Sequence, residues 1–456
     1  MSPMNMHTAS LEDTESGPRI APAVPVVRGL PGIGVAWQLH RHTLDYFADT
    51  AKRYGDRVEL RVLGQRVLLL TSPADVEAVL TRHPGDFGRS TDDALRPVFG
   101  DGVYLSEGDS WRAQRRVVLP AFHHDRVVQY ASVMVTRMIA RADAWRDGQT
   151  VDVLKEMSAY TSDVMCEVLF GQEQSPAAQA IANAVSAVFE NLRAEVLYLG
   201  LWRKLPLRRS RRWNRAVETL HAAINMIIAE RRSARAERDD LLHLLLTATD
   251  EQGQAMPDAY AHDEVMTMFV AGQETSSVAL SWAIAALAQH PELQREAATE
   301  VAAVTNGRDV TLDDYPRLRF LTAVVQETLR LYPPIWVIAR AVLRDTVVND
   351  LPVRAGTKLW MPVQQIHRNA RWFSEPDRFN PHRWSDAARR PKGYFPFGVG
   401  ARGCLAQHFA MTELVLGLAA MLARFEFRVA PGAKIEIDAW LTLRPKHGVP
   451  VVVSAR

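Results

Sequence analysis

Phe397-Gly398-Val399-Gly400-Ala401-Arg402-Gly403-Cys404-Leu405-Ala406 stands directly before an apolar helical pattern that runs to about Phe425. A thiolate ligates soft and borderline metals, haem iron among them. A free thiol has a pKa of roughly 8.5 and is mostly protonated at neutral pH, so a thiolate ligand needs stabilising. Three glycines allow the backbone to bend so that its N–H groups point at the sulfur. A helix starting at the cysteine would add the positive end of its dipole. Phe397 can shield the sulfur from water, and Arg402 can pair with an acid group of a ligand. A lone cysteine is more often a small core hydrophobe. The spacing Phe-x-x-Gly-x-Arg-x-Cys-x-Ala is what favours ligation over that blander reading.

That spacing resembles the haem-binding loop of the cytochrome P450 family. One departure is Ala406, where the family has Gly; both are small. The resemblance implies a mainly α fold with a minor β region, enclosing haem b (iron protoporphyrin IX). It assigns Cys404 to the iron and Phe397, Gly400 and Arg402 to the cofactor's surroundings.

Three further constellations stand in that family's order. Trp111 and Arg115 share a helix face and are both donors suited to a carboxylate; in the family such a pair meets a haem propionate. The bland alternative is a core Trp beside a solvated Arg. Arg340 is a further propionate candidate by resemblance. Ala271-Gly272-Gln273-Glu274-Thr275 interrupts a long apolar helix. Glycine there costs about 1 kcal/mol relative to Ala, so it needs a reason: close approach of a flat ligand, or helix–helix packing. Thr275 can bond the backbone four residues earlier. In the family this segment activates dioxygen. The Thr hydroxyl holds dioxygen and a water, and the acid, Glu274 here, relays protons through a carboxylate reaching solvent. Glu327 and Arg330, three apart on a helix stopped by Pro333-Pro334, can pair. With Arg378 they resemble a buried ion-pair network behind the haem loop. His123-His124 and His367 lack partners at metal-ligand spacing.

The remaining sequence sets bounds. The 456 residues carry a charge balance of 54 − 52 = +2, which gives no hint of nucleic-acid binding. Two cysteines, Cys166 and Cys404, rule out a disulfide framework and suit a reducing cytoplasm. No apolar run reaches the roughly 18–20 residues of a membrane span. Residues 1–28 read as a flexible segment and 29–456 as one domain. The basic run from Arg203 to Arg212 reads as a solvated loop, with a membrane-touching lid edge as the sharper alternative. A hairpin is expected over Arg57–Thr71, turning at Gly64-Gln65, and a helix from about Pro257 to His290.

The expected activity is a monooxygenase that inserts one atom of dioxygen into a lipophilic small molecule, with a slight lean to terpenoids. Electrons would come from a separate ferredoxin with its reductase, or a flavodoxin, docking near Arg112, Arg116 and Arg126. Two other readings are a peroxide-driven or non-oxidative haem-thiolate enzyme and a non-catalytic haem sensor. The acid–Thr pair weighs against both. Candidate pocket segments, by resemblance, are Arg89–Val103, Phe189–Leu201, Val265–Thr275, Ile335–Ile338 and Leu441–Leu443.

Overall fold

The apolar run around Val265, Met268 and Phe269 continues as one helix, Asp258–Gln289, of 32 residues. A helix apolar on all sides must be buried on all sides. From Tyr260 to Ala288 every residue is buried except Asp263, Ala271, Gly272 and Thr275. This central helix is the axis of the computed structural model, which describes residues 24–82, 84–90, 92–171, 181, 184–185, 188, 208–234, 240–249, 253–386, 391–439 and 441–456.

The helix Val153–Phe170 packs along the central helix, and Arg208–Ala234, Leu241–Thr247, Arg319–Leu331 and Gln407–Leu422 close around it. Asp152 caps Val153–Phe170 by accepting from Leu154 N–H at 3.1 Å, and Gly171 ends it in the left-handed region (φ 60°). Trp282 anchors the far end of the central helix. Its indole donates to the Leu443 carbonyl at 2.7 Å and stacks on Tyr332, with ring centroids 4.2 Å apart. Such a pair adds about 0.5–1.5 kcal/mol beyond its buried area.

The β part is small and lies to one side. Six strands run in the order Val26–Val27, Arg57–Val62, Gln65–Leu70, Lys358–Met361, Ile338–Val342, Phe87–Gly88. The expected hairpin is present, in register Arg57↔Leu70 to Val62↔Gln65. Its turn falls one residue earlier than expected, on Leu63-Gly64, both at positive φ (49° and 77°). That geometry matches the twist of the flanking strands. A second sheet joins Phe425–Val429, Pro450–Ala455 and Thr150–Asp152.

Several expectations change. Within the glycine-rich stretch Asp86–Asp109, residues Asp92–Phe99 form a helix. Of the basic run, residues 203–207 lie outside the described residues, as do Phe189–Leu201. Arg208 to Arg212 begin the helix Arg208–Ala234 instead of forming a loop.

The ion-pair network is buried but has a different third member. Arg330 and Glu327 are both fully buried and joined by two bonds of 2.8 Å. Arg330 also donates to the carbonyls of His367, Pro376 and Arg378. Arg378 itself is a surface residue whose side chain pairs with Glu375 at 3.2 Å. Only its backbone reaches the network, because the turn at Glu375 (φ 44°) carries its Cβ outward. The cation on Glu327 is Arg383, at 3.4 Å and 8% exposed, with the Trp384 indole donating at 2.9 Å.

Glu327→Ala leaves Arg330 buried without its carboxylate. A loss of about 3–5 kcal/mol is expected, read from the urea midpoint. Arg378→Ala should move the same midpoint by less than about 0.5 kcal/mol.

Candidate active site

The cysteine loop is a tight hairpin held by its own backbone. Cys404 N–H donates to Phe397 O at 2.9 Å, and Gly403 N–H to Gly400 O at 3.0 Å. Gly398 and Gly400 sit at φ 68° and 78°, where L side chains are strained. A Cβ on Gly400 would also overlap the Leu80 carbonyl. The helix does not start at the cysteine: it spans Gln407–Leu422, with Ala406 as its N-cap residue. Ala406 has φ −96°, so the position tolerates a methyl group. The Cys404 thiol is reachable from solvent, yet protein surrounds it on most sides. That enclosure raises its pKa, while the Ala406 N–H and the Arg115 guanidinium pull it down.

Cations gather beside this loop. Arg115 donates to Gly403 O at 3.3 Å, and burial lowers its pKa against the pull of Cys404. Trp111 carries Arg402 over its ring at 4.3 Å and Arg115 at 5.7 Å. Arg402 pairs with Glu107 and donates to Ser106 O. Arg340 is buried on its strand, and burial together with Arg89 and Arg402 holds its pKa down to about 10. Arg89 lies over Tyr104 at 4.4 Å, and its Nε–H is buried without a partner. Four guanidiniums therefore converge where Glu107 is the one carboxylate among these contacts. An anionic ligand would relieve both the repulsion and the orphaned donor.

The central helix presents its small residues as an opening. Ala271 is exposed and Gly272 and Thr275 are half-buried in an otherwise buried helix. Gly272 has a packing reason: a Cβ there would lie 2.7 Å from Met165 Sδ. Packing against Met165 is thus one reason for the glycine. Thr275 Oγ1 donates to Ala271 O at 2.7 Å. Its hydroxyl hydrogen is thus committed, and its lone pairs remain as acceptors. Glu274 does not reach solvent. It is 4% exposed, accepts from Thr442 Oγ1 at 3.0 Å, and lies 3.7 Å from Arg444. Adjacent residues on a helix diverge by about 100°, which turns Glu274 toward the Leu443 strand. Burial raises its pKa, opposed by Arg444 and Thr442.

The cytochrome P450 family model matches residues 22–450. The chain belongs to the cytochrome P450 family. It is similar to cyclooctatin synthase of Streptomyces melanosporofaciens, at 35% identity over 89% of this chain and 90% of that one. It is also similar to cyclooctat-9-en-7-ol 5-monooxygenase of the same organism, at 32% over 89% and 90%. Pentalenene oxygenase of Streptomyces avermitilis is 29% identical over 94% of this chain and 96% of its own length. As a cytochrome P450 this chain is a haem b monooxygenase that uses dioxygen on a lipophilic substrate. The residues present fit that cofactor: one reachable thiol, and four converging guanidiniums with one carboxylate among their contacts and an orphaned Arg89 donor, suited to two propionates. No described helix of this P450 is long and apolar enough to cross a membrane.

The sequence assigns no role at the site to Arg89, Glu107 or Glu413, and it leaves His367 without one. Arg89 and Glu107 carry no motif; only the fold brings them to Arg402. His367 is no metal ligand, and no three-residue metal cluster occurs among the described residues. Its Nδ1–H donates to Arg330 O at 3.1 Å, and its Nε2 accepts from Phe395 N–H at 2.9 Å. Burial drops its pKa to about 3, which keeps Nε2 free to accept. Glu413, on the helix after the cysteine, is fully buried, and burial pushes it up to about 8 against a contact to Ser276.

A carboxyl whose folded pKa is raised binds its proton more tightly in the native state, so stability falls as pH rises from about 4.5 to about 8. Glu413→Gln should flatten the decline in thermal midpoint across that window, leaving Glu264 and Glu274, both also raised by burial, to supply the remainder. Gly400→Ala should cost at least about 1 kcal/mol from positive φ alone, seen as a lower midpoint in thermal unfolding of the haem-loaded protein.

Proposed function

We propose that Cys404 would supply the thiolate that binds the haem iron, that Trp111, Arg115, Arg340 and Arg402 would hold the propionates, and that Arg89 would join them. The carrying observation is the gathering of guanidiniums beside one reachable thiol. Haem b, when bound, supplies the binding and reduction of dioxygen and the insertion of one oxygen atom into a carbon–hydrogen bond. Iron coordination would deprotonate the thiol outright, and the Ala406 N–H and Arg115 already favour that charge.

Thr275 offers an acceptor toward the opening beside Ala271, because its own hydrogen is held by Ala271 O. It can therefore accept a hydrogen bond from a water there, not deliver its own proton without rotating. Glu274 is the proton reservoir behind it. The Thr442 hydroxyl donates to it at 3.0 Å, and Arg444, 29% exposed in its side chain, lies 3.7 Å away and opposes the rise in its pKa. A buried acid whose pKa is raised by burial can hold a proton at this site for general-acid work.

The substrate is a terpenoid hydrocarbon skeleton. Of the expected pocket segments, Trp336 and Leu443 are packed in the core, while Ile335, Val337 and Ile338 keep exposed apolar surface, and the similar enzymes named for cyclooctatin and pentalenene support the class. Electrons arrive from a small acidic ferredoxin or flavodoxin. Arg112 and Arg116, exposed on the helix Gly108–Val118 that carries Trp111 and Arg115, favour such a partner.

Spectra of the reduced carbon monoxide complex test the ligand: the wild type should show thiolate ligation and Cys404→Ser should lose it. Thr275→Ala should lower product formed per NADPH by about tenfold or more, with surrogate redox partners and unchanged substrate-binding spectra. Undiminished coupling removes Thr275 from the mechanism.

A further inference from the structure

Two buried polar side chains stand behind the opening in the central helix, and the chemistry above gives neither a task. Gln273 is 2% exposed, and Thr161, on the neighbouring helix Val153–Phe170, is fully buried. Thr161 Oγ1 lies 2.9 Å from the Gln273 backbone carbonyl oxygen, and Gln273 Nε2 donates to the Ser158 carbonyl at 3.1 Å. The two helices thus exchange hydrogen bonds in both directions. Neither polar group is needed to fill its place, since valine has nearly the shape of threonine and leucine nearly the size of glutamine. As built, Gln273 Oε1 is buried with no partner, which costs stability. The amide cannot turn over to spare that oxygen, because it would then face the Ser158 carbonyl, acceptor against acceptor. A buried residue that leaves one of its own atoms unsatisfied points to position, not stability, as what its other bonds supply.

Successive residues turn about 100° around a helix, so Gln273 stands about 100° from Glu274 and about 200° from Thr275. Thr275 faces the opening beside Ala271, and Gln273 faces the helix behind. Two bonds on that back face resist both rotation of the turn about its axis and sliding along it. A hydroxyl roughly 4 Å from the axis moves about 1 Å when the turn rotates by about 15°. A misplacement of that size can cost a reaction on the order of a hundredfold.

We propose that Thr161 is a positioning residue for the reaction: its bond to the Gln273 carbonyl, with the return bond from Gln273, sets the rotation of the turn that carries Glu274 and Thr275, and so the place of the Thr275 acceptor beside Ala271. The bonds stand on their own geometry; their consequence for product formation rests on the role proposed above for Thr275. Thr161 has one hydroxyl hydrogen and three carbonyl oxygens near it. Gln273 O lies at 2.9 Å, Met157 O, one turn back on its own helix, at 3.0 Å, and Ser158 O at 3.3 Å. The Ser158 carbonyl already receives the Gln273 amide. Given to Met157, the hydrogen would leave the helices tied from one side only; given to Gln273, it completes the exchange. Other contacts hold the flanks of the turn: Met165 lies against Gly272, and the Thr442 hydroxyl bonds Glu274. Loss of the Thr161 bond therefore shifts the turn without unseating the helix.

Thr161→Val keeps the shape and removes the hydrogen. In the reduced, haem-loaded protein the infrared stretch of bound carbon monoxide reads the polar groups beside it. That stretch should shift in Thr161→Val and return in Thr161→Ser, which restores the hydroxyl. Gln273→Leu, which cuts the return bond, should also shift it. With surrogate redox partners, product per NADPH should fall about threefold to tenfold in Thr161→Val, the effect of losing one buried hydrogen bond. Substrate-binding spectra should stay unchanged, and Thr161→Ser should restore the yield. Added to Thr275→Ala, Thr161→Val should lower the yield by less than it does in the wild type; a full additional loss overturns the route through Thr275. An unmoved stretch and an unchanged yield in Thr161→Val overturn the proposal even if the thermal midpoint falls, and assign the hydrogen to Met157. A shift that Thr161→Ser does not reverse also overturns it, because packing would then be the cause. A shifted stretch with an unchanged yield leaves Thr161 as the residue that places the turn and overturns its effect on the reaction. If Thr275→Ala alone leaves the yield undiminished, the role of Thr275 falls instead, and the carbon monoxide stretch still decides whether Thr161 places the turn.

Discussion

The Glu327–Arg330 pair fixes the position of the loop that carries the chemistry. Arg330 places its five N–H groups on five acceptors: both oxygens of Glu327 and the carbonyls of His367, Pro376 and Arg378. Glu327 in turn receives Arg330, Asn380 N–H, Arg383 and Trp384. Two charges taken out of water repay their desolvation only when every lone pair and hydrogen is used, and here they are. The pair therefore accepts only one path for the irregular chain between residues 367 and 384. His367 extends that constraint, since it bonds Arg330 on one side and Phe395 on the other. Two residues beyond Phe395 is Phe397, whose carbonyl holds the Cys404 amide.

On the opposite side, the central helix sets the rest of the geometry. Thr161 and Ser158 of a neighbouring helix exchange hydrogen bonds with the backbone and side chain of Gln273. Met165 fills the space that Gly272 leaves. The turn bearing Glu274 and Thr275 is thus held from behind by a polar clamp and a thioether, not by the ligand it serves. A helix so firmly seated can leave three small or polar residues open without loss of order.

Much of the site was legible because its chemistry is local in sequence. The Cys404 hairpin needs glycines at fixed offsets, Trp111 and Arg115 share a turn, and the acid–Thr pair is contiguous. Glu327 and Arg330 were readable from their i, i+3 spacing. Arg378 and Arg383 were not separable by sequence, because both lie in the same irregular stretch and side-chain direction there follows local turns. Glu274 was misread for a related reason: its helical neighbour Thr275 shows the sequence position, but only the packing of the Leu443 strand shows which way the carboxylate turns. Gly272 had two explanations in sequence, and Met165 supplies one of them.

The amino-acid order alone determined the glycine-rich cysteine loop, the long buried helix, the hairpin at Arg57–Leu70 and the mainly α class, since each depends on periodicity, glycine conformation or contiguous donors. Tertiary structure decided what depends on residues far apart in the chain. It brought Arg89, Glu107, Arg340 and Arg402 to one place, put Arg383 rather than Arg378 against Glu327, and joined His221 to Asp263 through His262. Long-range electrostatics has no period in the sequence; it exists only once the backbone has closed the distance.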